Sequence, residues 1–82
     1  MNPEILQLKG QLADLKKKYG NMDIEASGLI IQLRTLLNPY TEDVTELNAE
    51  QIRFSAKRLA DIIRQMQALK PKINQLQEAL GG

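Results

Sequence analysis

Apolar side chains recur along the first half of the chain at Ile5, Leu8, Leu12, Leu15, Tyr19, Met22, Ala26, Leu29, Leu33 and Leu36, in alternating steps of three and four. That spacing keeps all of them on one face of an α-helix, as the a and d positions of a heptad repeat do. A second stripe follows the same rule through Ile52, Ser55, Leu59, Ile62, Met66, Leu69, Ile73, Leu76 and Leu80, with Ser55 as its one polar member. Two long amphipathic helices are predicted, and no run with the two-residue period of a strand competes with them.

Local signals set the ends. Pro3 sits where a helix starts, because the N–H it lacks has no partner in a first turn. The run Lys16-Lys17-Lys18-Tyr19-Gly20 resembles a helix C-terminus on its own. The stripe nevertheless keeps phase through Gly20, which a turn would reset, so helix 1 is expected to be continuous over about 3–37. Pro39 disfavours helical geometry at Asn38 and ends it. After a connection over 38–48, Asn48 is a good N-cap. Gln51 is placed to complete a capping box, and Leu47 to staple onto Ile52. Helix 2 then runs over about 49–80, with a kink near Pro71 where the ring crowds the preceding turn, and Gly81-Gly82 ends it.

The two stripes match in length. Pairing Leu36 with Ile52, Leu29 with Leu59, Met22 with Met66, Leu15 with Ile73 and Leu8 with Leu80 keeps the residue numbers totalling 88. Antiparallel seams require such a constant total. The predicted fold is therefore all-α: one domain, an antiparallel two-helix hairpin of coiled-coil type.

Two helices closed face to face leave much of each core side chain open to water. Apolar or small residues also remain off the stripes, and Ile24, Gly28, Ile30, Ile31, Phe54 and Ile63 are the candidate interface. Burying such a patch at ~25 cal/mol per Å² contributes several kcal/mol to a fold that is marginal alone. The expected partner is a second copy, giving a homodimeric four-helix bundle, with a different protein as the alternative occupant.

Composition narrows the chemistry. Aromatic residues make up 4% of the chain and Trp is absent, which suits helix-on-helix packing by Leu, Ile, Ala and Met. With no Cys and no His, disulfides, thiol nucleophiles, imidazole bases and His or Cys metal ligation are excluded. Asp14 and Asp61 map to outward positions far apart, so paired-carboxylate catalysis lacks a pocket. Glu42, Asp43 and Glu46 lack the spacing and turn glycine of a calcium loop. The scattered glycines form no phosphate cradle. No catalytic, cofactor or metal residues are assigned, and the expected function is a non-enzymatic interaction module, an adaptor- or chaperone-like hairpin.

Net charge is +1, so no overall field draws the chain to nucleic acid or lipid. The alternative function rests on distribution: Lys16, Lys17, Lys18, Lys70 and Lys72 gather at the open tip of the hairpin and could contact an anion or nucleic acid. No uncharged stretch approaches the ~18 apolar residues of a membrane span, and Met1 to Lys9 lack the basic-then-apolar order of a leader. A soluble cytoplasmic location is expected.

Overall fold

A computed structural model describes residues 2–38, 40 and 43–81. It contains a long helix α1 (Pro3–Leu36), a single three-ten turn at Val44–Glu46, and a second long helix α2 (Ala49–Ala79). The helices pack on each other as a hairpin, and the molecule measures 64 × 18 × 15 Å. Thirty-four helical residues at ~1.5 Å each account for most of that length.

Both helices start where the sequence predicts, and each start is capped by an asparagine. The Asn2 side chain accepts from the Glu4 N–H at 2.9 Å, with Pro3 in the first turn. The Asn48 side chain accepts from the Gln51 N–H at 3.1 Å. Gln51 answers by a different route from a standard capping box, its side-chain oxygen accepting from the Asn48 side-chain amide at 3.3 Å. α1 closes when the Leu37 N–H donates to Leu33, and α2 closes at Leu80, each one residue from its expected end. Pro39, Glu42 and Gly82 lie outside the described residues.

Helix α1 runs through Gly20 without a break. Cβ atoms added at Gly10, Gly20 or Gly28 would meet nothing within 4 Å. Pro71 lies inside α2 without ending it. In the connection, Asp43 caps the short turn by accepting from the Thr45 N–H at 2.9 Å and the Thr45 hydroxyl at 2.6 Å. These bonds favour the charged carboxylate and hold Asp43 below its ordinary value.

Burial follows the stripes. From Leu8 to Leu36, and from Ile52 to Leu80, each seam residue is buried or half-buried, while nearly every position between them is exposed. Ile5 is the exception at 43% exposed; in the expected register nothing on α2 remains to pair with it. Among the described residues the buried ones are few, Ala26, Ser55, Ile62, Leu69 and Ile73, and of these only Ser55 and Ile62 are fully covered. A single layer of side chains between two rods has no second layer to cover it.

Ser55 is only 1% exposed, and its hydroxyl has no hydrogen-bond partner. A buried hydroxyl left unpaired costs about 1–3 kcal/mol. Ser55→Ala should therefore raise stability by about 1–2 kcal/mol in urea unfolding followed by circular dichroism. An unchanged midpoint would mean that the hydroxyl satisfies itself on a carbonyl one turn back.

Candidate docking face

The two arms define two long sides, one polar and one apolar. On the polar side, Arg58 donates to both carboxylate oxygens of Glu25, at 2.8 and 3.1 Å. Glu25 precedes the seam residue Ala26 and Arg58 precedes Leu59, so both flank the seam on the same side. Hydrogen bonding and the charge of Glu25 raise Arg58 above its ordinary value. Both side chains are about half exposed, which makes this pair an alignment device more than a source of stability.

On the opposite side the seam lies open. A cleft there is lined by Tyr19, Ala26, Ile30, Leu59, Ile63 and Met66, with Asp23, Gln67 and Lys70 towards the free ends of the arms. It continues towards the connection through Ile30 and Leu59 into a second hollow lined by Leu33, Arg34 and Leu37. The cleft spans 19–30 of α1 and 59–70 of α2, in keeping with the register inferred from the stripes. Ile30 and Ile63 are each 42% exposed, and Leu37 is 51% exposed. The result is one apolar groove edged by the charged residues Asp23, Arg34 and Lys70.

The six candidate interface residues separate accordingly. Ile30 and Ile63 come together in the groove. Ile24 and Ile31 lie on the back of α1, facing away from the seam, and are 73% and 65% exposed. Gly28, one turn beyond Glu25, lies on the polar side. So does Phe54, which shares a shallow hollow with Lys57, Arg58 and Asp61. Gly28 and Phe54 therefore do not share a surface with Ile30 and Ile63, because the arms bury the seam between them and split the off-seam positions into two sides.

The five lysines also fail to make one patch. Lys70 lies at the end of the apolar groove. Helical periodicity sets Lys16 on that side, Lys18 and Lys72 on the polar side, and Lys17 facing directly away from the seam. Positive charge thus rings the open half of the hairpin without forming a track. Among the described residues no group of three or more potential ligands could hold a metal ion. No helix there is long and apolar enough to cross a membrane. Comparison of the chain with protein-family models, curated proteins and solved structures finds no match.

Asp23 and Arg34 were not singled out by the stripe pattern. They become visible as groove residues only once the register is known, since neither is apolar and neither lies on the seam.

Proposed function

We propose that this chain is a non-enzymatic protein–protein interaction module that docks through the apolar groove on the open side of the hairpin. The observation that carries this reading is the continuity of that groove, from Tyr19 past Ile30 and Ile63 to Leu37. Isolated exposed isoleucines are ordinary on a protein surface, whereas a contiguous apolar face marks a contact site.

Total surface supports the same reading. The hairpin exposes 6515 Å², against about 5,000 Å² for a compact monomer of its mass. The excess is what a rod presents when one long side awaits cover. Nucleic-acid binding draws no comparable support, because the lysines point to different sides.

The test is retention on the immobilised hairpin in high salt, where apolar contacts persist and phosphate contacts weaken. Wild type should retain a protein, itself or another, and the double variant Ile30→Glu, Ile63→Glu should lose it. Phe54→Glu, on the polar side, should retain it. Equal retention by the double variant, or none by wild type, overturns the reading.

A further inference from the structure

Resting on that docking face, we propose that its occupant is a second copy of this chain, seated antiparallel so that α1 packs on α1 and α2 on α2. Beside the groove α1 carries a second row with the same three-four spacing: Gly20, Asp23, Ser27, Ile30, Arg34 and Leu37. A helix laid antiparallel on its own copy pairs residues whose numbers have a constant total. At a total of 57, Leu37 falls on Gly20, Arg34 on Asp23 and Ile30 on Ser27. Each large side chain meets a small one, and the one base meets the one acid.

This match belongs to one register. Slipping the second copy by a heptad one way sets Ile30 against Arg34. Slipping it the other way sets Lys16 against Arg34, base on base. The charges are available, since Asp23 and Arg34 are both exposed. The ion pairs among the described residues, Glu25 with Arg58 and Asp61 with Arg64, leave both of them unengaged.

Other features fall into place under the same operation. Nothing within the hairpin approaches Gly20, so packing inside one copy gives no reason for a glycine there. In the pair, Leu37 of the second copy takes that space. Ile24 and Ile31 each follow a row residue, Asp23 and Ile30, and so flank the contact along its outer edge. On α2, the hairpin register brings Ile63 level with Ala56 of the second copy. At this total the copies overlap from Gly20 to Leu37, about 27 Å at ~1.5 Å per residue on a face 18 Å wide, which makes a compact contact at the small end of specific interfaces.

Sedimentation equilibrium on the purified full chain tests the pairing. Wild type should be a dimer at micromolar concentration. Asp23→Arg and Arg34→Asp should each weaken it about tenfold, because the two-fold axis repeats every pair. The double variant Asp23→Arg, Arg34→Asp restores opposite charges and should recover the dimer, while Gly20→Leu should abolish it with helicity intact. Failure of the double variant to recover overturns the proposed pairing. A monomeric wild type overturns self-association, and groove-dependent retention of a different protein would then leave the docking reading standing. A dimer broken by Phe54→Glu and untouched by Ile30→Glu overturns both.

Discussion

Truncating Ile62 to alanine should lower the unfolding free energy by about 3 kcal/mol, the largest loss expected from any single substitution in this chain. Ile62 is 1% exposed, the most completely buried large side chain present. The register sets it opposite Ala26, which is itself buried. Ile62 therefore fills its layer almost alone, and its removal would leave two alanines facing each other across a void. The rods cannot close over that void, because the larger Leu29 and Leu59 of the next layer hold them apart. Phe54→Ala provides the contrast: at 73% exposed, its loss should stay within about 0.5 kcal/mol. Urea unfolding of both variants at one protein concentration checks the pair. A loss below 1 kcal/mol for Ile62→Ala would mean that face-to-face closure of the seams is not what holds the arms together.

The second large effect has the opposite sign. Pro71 sits inside α2, where its ring displaces a main-chain hydrogen bond to the carbonyl one turn earlier and crowds that carbonyl. Pro71→Ala restores the bond and removes the crowding. A proline within a helix is about 3 kcal/mol worse than alanine, and rigidity of the unfolded chain returns up to about 1 kcal/mol of that. The net gain should be about 2 kcal/mol, read as a raised urea midpoint. If the variant gains nothing, Pro71 shapes the run of α2 that carries Leu69 and Ile73 onto the seam, and that packing offsets its local strain.

Helix number, helix ends and the facing of the arms were legible because they rest on short-range regularities. The three-four period survives Gly20, so the continuity of α1 could be read from phase alone. Asn48 and Gln51 announced the start of α2 through the donors that a first turn leaves unpaired. The short turn at Val44–Glu46 was missed, although Asp43 two residues before Thr45 is the usual signal for a side chain that folds a turn onto itself. The division of the surface was harder to see. Phe54 and Ile63 are both apolar and both off the seam, yet they lie on opposite sides of the hairpin. Phe54 precedes a seam residue and Ile63 follows one, and that offset, which a list of apolar positions does not record, sets the side each takes. The row from Gly20 to Leu37 is hidden for another reason: four of its six members are small or charged, so its period carries little apolar signal.

The slender outline has a practical consequence for friction in solution. A body nearly four times as long as it is wide, with a radius of gyration of 18.5 Å where a compact chain of this length has about 12 Å, drags more solvent than a sphere of equal mass. On a gel-filtration column calibrated with round standards it elutes early, so one copy passes for two.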